Sequence, residues 1–311
     1  MSFHFVFRFS VALIVGICFG MVLKRENYTE LENLLLSSEG INLINNGQTH
    51  SILIPRLIFQ TWKSRSSIPI TVDYNFAKYA RYYERRIYTD SEVEDFFQKY
   101  FSAAVIEAKS KLKRSSHVAD LFRYAILFLY GGVYFDIKSE LTVPIDSMIK
   151  VNNTLFAALS YSRSQGIYQG FIASPPRNPI FLELIHHIVT IPKPIPDPIY
   201  HFSCNKFAEL VNKVSGNVGK LLTSGKYTTI NKNETGLPDI YLFEERSHDT
   251  IDCWDGPDRY NGCYMLHNEI GEIVLKVRYA DFPYGAWSQK NLNQLTSRSP
   301  RTNGGRHLQP L

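Results

Sequence analysis

The chain has 311 residues, 44% of them hydrophobic and 20% charged, with 19 tyrosines and 20 phenylalanines. That composition excludes a disordered or collagen-like polymer and allows a core that needs no disulfides. The formal net charge is +5, but Lys290, Arg298, Arg301 and Arg306 lie in a C-terminal stretch without acids, so the remainder is near neutral and no nucleic-acid partner is expected.

Residues 3–23 are almost wholly apolar, broken by His4 and Arg8, and match the ~20 residues of one membrane span. Most of the sequence follows this run, so residues 1–23 read as the signal-anchor of a type II membrane protein whose remainder lies in the Golgi or ER lumen. A cleaved signal peptide, with Cys18 and Gly20 at the cleavage site, is the alternative and makes the protein secreted. The sequons at Asn27, Asn152 and Asn233 agree with a lumenal glycoprotein. Cys253 and Cys263 bracket a turn-rich loop and are expected to form a disulfide in an oxidising compartment, and Cys204 is expected as a buried small residue.

Residues 24–52 are polar without a clear period and read as a stem. Residues 53–60 form a short apolar run, a buried strand with Pro55 at its start, and residues 85–88 read as a second strand. Asp90 is placed to cap a helix to about residue 100, with Val93, Phe96 and Phe97 on one face. Ser115 or Ser116 caps the next helix, whose apolar positions Val118, Leu121, Phe122, Ala125 and Leu129 keep helical spacing and whose later turns are apolar nearly all round. Gly131 and Gly132 end it, and a strand over 133–135 runs into Asp136. Further on, a short helix near 144–149, a strand near 156–159 and a helix over 178–189 precede a proline-rich loop at 192–198. Strands alternating with helices predict an α/β sheet, mostly parallel. Residues 291–311 read as a disordered basic tail.

The chemistry concentrates in residues 115–140. Asp120 and Arg123 lie one turn apart on a helix otherwise built for burial, where a charge is costly unless paired or used. The following strand delivers Asp136 at its C-terminal end, the edge at which open α/β sheets bind ligands.

These residues resemble glycosyltransferase family 32, the DXD-motif sugar transferases. The family's first strand, I-P-K-I-I-H-Q-T-W, corresponds to residues 54–62, Ile54 through Trp62. Its S-D-x-x-R-x-x-x-L-x-x-x-G-G-x-Y-x-D-x-D block corresponds to Asp120, Arg123, Leu127, Gly131, Gly132, Tyr134 and Asp136. The resemblance implies a GT-A fold: a Rossmann-like, mostly parallel mixed sheet with helices on both faces, here a single catalytic domain over 53–290 behind the anchor. It implies a retaining transfer of a sugar (mannose, galactose or N-acetylglucosamine) from a nucleotide-sugar to a glycan or glycolipid acceptor. On the same grounds Asp120 and Arg123 contact the donor sugar and Asp136 the ribose and metal, while Gln60, Thr61, Trp62, Tyr134, Gln169 and Trp287 lie on the donor side.

The sequence departs from the pattern at Phe59, Ala119, Gln169 and above all Lys138, which replaces the second acid of the DXD motif. In the family that acid holds Mn²⁺ or Mg²⁺, which neutralises the diphosphate leaving group. Three readings stay open. Lys138 places its own charge against the diphosphate; or Glu140, on the same side as Asp136 if the segment is extended, restores the metal site; or Asp136 holds a metal with a C-terminal group such as Asp281. A relative without turnover, binding sugar or nucleotide only, is the rival to an enzyme.

Overall fold

The computed structural model describes residues 25–46, 53–161, 166–192, 201–248 and 263–277. Its centre is a ten-stranded mixed sheet. The strands are β1 (Leu57–Thr61), β2 (Glu84–Tyr88), β3 (Gly132–Phe135), β4 (Ser139–Leu141), β5 (Thr154–Leu159), β6 (Ile167–Ser174), β7 (Gly225–Tyr227), β8 (Asp239–His248), β9 (Cys263–His267) and β10 (Ile273–Val277). They pair in the order β2-β1-β3-β6-β5-β8-β9-β10-β4, with β7 on β8. The expectation of a mostly parallel sheet is corrected. Only β1–β2, β1–β3 and β5–β8 are parallel among the described pairs. β6 inserts antiparallel between β3 and β5, and the C-terminal strands meander. Hairpin-like connections between strands 5 and 6, and 8 to 10, need no crossover helix, so antiparallel pairing is the short route. Even so, β1, β2, β3, β5 and β8 all point the same way, and their C-terminal ends share one edge.

Both faces of the sheet are covered, because its strands alternate apolar residues to either side. Phe59, Tyr134, Leu155, Ala157, Ile172, Ile240 and Leu242 join one core, and Ile58, Val133, Phe135, Phe156, Phe171 and Phe243 the other. The first core is closed by α4 (Asp90–Tyr100), α5 (Ala103–Ser110), α6 (Ser115–Tyr130), α8 (Pro179–Thr190) and α9 (Phe202–Val214). The second is closed by α3 (Ile70–Tyr79) and α7 (Ile145–Met148). α4 starts from a capping box at Thr89 and Glu92, one residue before the expected cap, and α8 from Asn178 with Pro179 in its first turn. Caps of this kind contribute about 1 kcal/mol each. Phe96, Phe122 and Tyr88 lock α4, α6 and β2 together at ring separations of 5.0–6.2 Å.

The stretch read as a polar stem carries α1 (Arg25–Leu35) and α2 (Ser38–Asn45), which belong to the same body. Leu35, Leu36 and Ile44 enter the first core, and Arg177 Nη2 lies 3.0 Å from Glu32 Oε1. Their apolar residues are too few and too interrupted by polar ones to show a period in a short window. The apolar run of residues 3–23, the proline-rich loop from 193, and the tail from 291 lie outside the described residues, as do Cys253, Asp281 and Trp287. Among the described residues no helix is long and apolar enough to cross a membrane.

α6 carries the site toward the sheet edge. Leu121 through Leu129 are all buried, and Gly131 breaks the helix at φ 63°. A Cβ at Gly131 would stand 2.5 Å from the Pro176 nitrogen, and one at Gly132 (φ 98°) 2.7 Å from the Leu57 carbonyl. Only glycine permits this tight reversal. It lays β3 directly beneath α6, so that residues 134 and 136 face the helix.

Candidate active site

Four charges of alternating sign stand at the sheet's C-terminal edge. Asp120 Oδ1 lies 3.1 Å from Arg123 Nη1, Arg123 Nη2 lies 3.4 Å from Asp136 Oδ1, and Lys138 Nζ lies 3.6 Å from Asp136 Oδ2. Asp120 is 8% and Arg123 4% exposed. The guanidinium lies over the Tyr134 ring, 4.7 Å from its centroid, and its Nε donates to the Ala119 carbonyl at 3.2 Å. Position 134 of the strand and position 123 of the helix thus pack against one another, and the ring gives the cation a favourable face. The expected pair on α6 and the expected carboxylate on β3 are therefore in direct contact.

Electrostatics follow from burial. Burial pushes the Asp120 carboxyl up, against the pull of Arg123 and of the Ser203 hydroxyl, which donates to Oδ2 at 2.7 Å. Burial alone would lower Arg123, but Tyr134, Asp120 and Asp136 more than offset it and keep the guanidinium charged. Burial lowers Lys138, with Asp136 opposing the shift. The Tyr134 phenol is pushed up to about 12 by burial. It stays neutral and shares a hydrogen bond with Thr61 Oγ1 at 3.1 Å.

The other expected donor-side residues divide. Thr61 ends β1 and Trp62 follows it at the same edge, with Trp62 bonded to Ser67 through Nε1 (2.9 Å) and to the Tyr88 carbonyl through its backbone N–H (3.0 Å). Gln60 has no exposed surface. Its Oε1 accepts from Arg85 Nε at 2.6 Å and its Nε2 donates to the Asp136 carbonyl at 3.5 Å, so its place is to support Asp136, not to meet a ligand. Gln169 is likewise buried, bonded to the Tyr124 hydroxyl at 2.6 Å and the Ile167 carbonyl at 2.8 Å. Gly170 is pressed between Asp136 and Tyr168: a Cβ there would meet the Tyr168 hydroxyl at 2.0 Å and Asp136 Oδ2 at 2.9 Å. Cys204 is half-buried, 3.9 Å from His201 Nδ1, and burial pushes its thiol up to about 12. Asn152 stands exposed in the turn before β5.

Of the residues expected to rescue a metal site, Asp281 lies outside the described residues and Glu140 does not stand beside Asp136. Ser139 N donates to the Asp136 carbonyl at 2.9 Å, so residues 136–139 turn instead of extending, and the two-residue alternation that placed Glu140 beside Asp136 does not apply. Glu140 sits in β4 opposite Lys276 of β10. Both Asp136 oxygens face cations. Mn²⁺ or Mg²⁺ requires several oxygen ligands in one shell. Among the described residues no three of His, Cys, Asp and Glu converge, and a divalent ion at Asp136 would be opposed by Arg123 and Lys138. Among the described residues the donor set does not fit the ion.

Two residues that no motif marked also belong here. Ser203, in the first turn of α9, holds Asp120. Glu245, on β8, is buried and acts electrostatically on Lys138. Glu245 continues the alternation of Tyr241 and Phe243 along β8, which was the available signal for it; for Ser203 there was none.

Residues 49–155 match the family model described as the glycosyltransferase sugar-binding region containing DXD motif. The sequence is 28% identical over 144 residues to a mannosyl phosphorylinositol ceramide synthase of Saccharomyces cerevisiae, covering 43% of this protein and 35% of that one. It is 29% identical over 135 residues to an initiation-specific alpha-1,6-mannosyltransferase of Candida albicans, covering 40% and 33%. An uncharacterised glycosyltransferase of Acanthamoeba polyphaga mimivirus is 25% identical over 133 residues, covering 42% and 53%. The alignments thus span about a third to a half of these relatives' lengths. Among solved structures, the PaToxG glycosyltransferase aligns at TM-score 0.42 and 15% identity over 56% of this protein and 76% of that one, too loosely to carry an argument. The matching region encloses Asp120, Arg123, Asp136 and Lys138, so residues 49–155 are similar to a glycosyltransferase sugar-binding region, and the resemblance to glycosyltransferase family 32 rests on them.

Proposed function

We propose that the protein is a hexosyltransferase of the secretory pathway, moving a sugar from a nucleotide-sugar to a glycan or glycolipid with retention at the anomeric carbon. A GT-A body is proposed to stand behind an anchor in residues 1–23. The observation that carries this reading is the row Asp120–Arg123–Asp136–Lys138 at the edge where the codirectional strands end. Arg123 and Asp120 are rigidly held and suited to a sugar's hydroxyls, which accept from one and donate to the other. Lys138, the more exposed of the two cations, is suited to the diphosphate. As the bond from the anomeric carbon to the phosphate oxygen breaks, the diphosphate gains negative charge, and a fixed ammonium stabilises that charge more than the ground state. The acceptor hydroxyl forms the new bond on the same face and gives its proton to the departing phosphate oxygen. The names of two relatives make mannose the first donor to test.

The test is the melting temperature of the full-length protein with UDP, GDP or CMP, each with Mn²⁺ and with chelator. Saturation at 100 times Kd stabilises by about 2.7 kcal/mol. A shift with one nucleotide that survives chelation is expected. A shift seen only with Mn²⁺ refutes Lys138 as the charge that meets the diphosphate, and none with any nucleotide refutes the donor site. Lys138 in the place of an acid is also the one observation favouring a binding protein without turnover, and release of diphosphate from a nucleotide-sugar in water separates the two.

A further inference from the structure

Glu245 lies on β8 opposite Leu266 of β9, one residue past the pairing of Glu244 with Leu159. It is 4% exposed. Its Oε2 is held by the Tyr161 backbone N–H at 2.9 Å and the Ser160 hydroxyl at 3.3 Å. Its Oε1 is buried and has no hydrogen-bond partner among the described residues. A carboxyl oxygen withdrawn from water without a partner is expensive, and folded proteins keep few of them. The two bonds on Oε2 fix the carboxyl, so Oε1 cannot turn away to find another group without giving them up.

The location narrows what Oε1 is kept for. Ser160 and Tyr161 directly follow β5, which runs parallel to β8, so Glu245 lies at the edge where Asp136 and Lys138 stand. The charges of Glu245 and Lys138 act on each other. A cationic ligand would compete with Lys138, and a phosphate would be repelled by the carboxylate. Burial pushes the carboxyl up to about 7, so both protonation states are present near neutrality. A hydroxyl is the group that serves both, donating to the carboxylate and accepting from the acid.

We infer that Glu245 is a sugar-binding residue of this site, its Oε1 taking a hydroxyl of either the donor sugar or the acceptor sugar. This rests on the transferase reading. The full-length protein and its Glu245→Gln variant are compared in three measurements: the melting shift with GDP or UDP, the shift with GDP-mannose, UDP-galactose or UDP-N-acetylglucosamine, and turnover of the effective donor in water and with methyl α-mannoside. The bare-diphosphate shift reports what Glu245 does through Lys138 and is subtracted from the shift given by the intact nucleotide-sugar. If the donor sugar is bound, the variant loses the extra shift given by the intact nucleotide-sugar, and its KM for donor hydrolysis rises about tenfold. If the acceptor is bound, transfer to the mannoside falls about tenfold more than hydrolysis does. Glu245→Asp, which withdraws the carboxyl by one methylene, must reproduce the same loss, so a poorly folding Gln variant does not decide the matter. Variants equal to wild type in all three measurements overturn the inference while leaving the transferase reading intact. A wild type that shifts with no nucleotide or nucleotide-sugar overturns both.

Discussion

Arg123 is the residue whose removal the geometry makes most costly. Its guanidinium separates two carboxylates, Asp120 at 3.1 Å and Asp136 at 3.4 Å, and its side chain is only 5% exposed. In Arg123→Met the aliphatic stem still covers the Tyr134 ring, so little packing is lost. What is lost is the cation shared by the two acids, and removing one partner from a buried ion pair costs about 3–5 kcal/mol. For a domain of this size that corresponds to a fall in Tm of roughly 6–20 °C. Asp120→Asn in the Met background removes the stranded charge while keeping an acceptor for the Ser203 hydroxyl, and should return at least half of the loss. The single and double variants, with Asp120→Asn alone, form a double-mutant cycle readable by urea denaturation at pH 7. A loss below about 1 kcal/mol in Arg123→Met, the range of exposed pairs, would refute the view that this row is buried, coupled electrostatics.

Three further outcomes follow from the same geometry. Lys138→Gln should weaken nucleotide-diphosphate binding at least tenfold by isothermal calorimetry, and Lys138→Asp should restore binding only when Mn²⁺ is added; full-strength binding by Lys138→Gln sinks the role given to the ammonium. Gly170→Ala should cost about 1–3 kcal/mol, as overpacking does, and should also impair donor binding, because the new Cβ at 2.0 Å from the Tyr168 hydroxyl and 2.9 Å from Asp136 Oδ2 must displace both; an alanine variant with wild-type stability would show that the contact relaxes freely. Between the ordinary carboxyl value of 4.5 and about 7, folded Glu245 keeps a proton that the unfolded state has released, so this residue's contribution to stability falls as pH rises through that window, by about 3 kcal/mol in all. Glu245→Gln should therefore gain on wild type from pH 4.5 to 7.5 in denaturant titrations, and an unchanged difference across that range contradicts a buried, proton-holding carboxyl.

What the sequence disclosed depended on how local the physics was. The helix 115–130 and the turn after it were legible because burial on all sides, a Gly pair and the next strand follow one another without interruption. The same local run brought Asp120, Arg123 and Asp136 together. The direction of β6 was not legible, since an eight-residue strand buried throughout shows no face and gives no sign of whether it enters the sheet parallel or antiparallel. Glu140 was misplaced for a related reason. Alternation by two holds only in an extended segment, and the hydrogen bond from Ser139 to the Asp136 carbonyl closes a turn that residue types alone did not announce. Gln60 matched its pattern and yet lies buried, because a strand covered on both faces gives a polar side chain nowhere to go but to a partner, here Arg85. Ser203 and Glu245 reach the site from far along the sequence, on elements whose register only the folded sheet fixes. Their positions explain how the exchange of an acid for Lys138 can be accommodated. Burial lowers Lys138, and Asp136 and the field of Glu245 oppose that shift. The row then keeps two acids and two cations in alternation, and a divalent ion added to it would break the balance that lets four such groups share so little water.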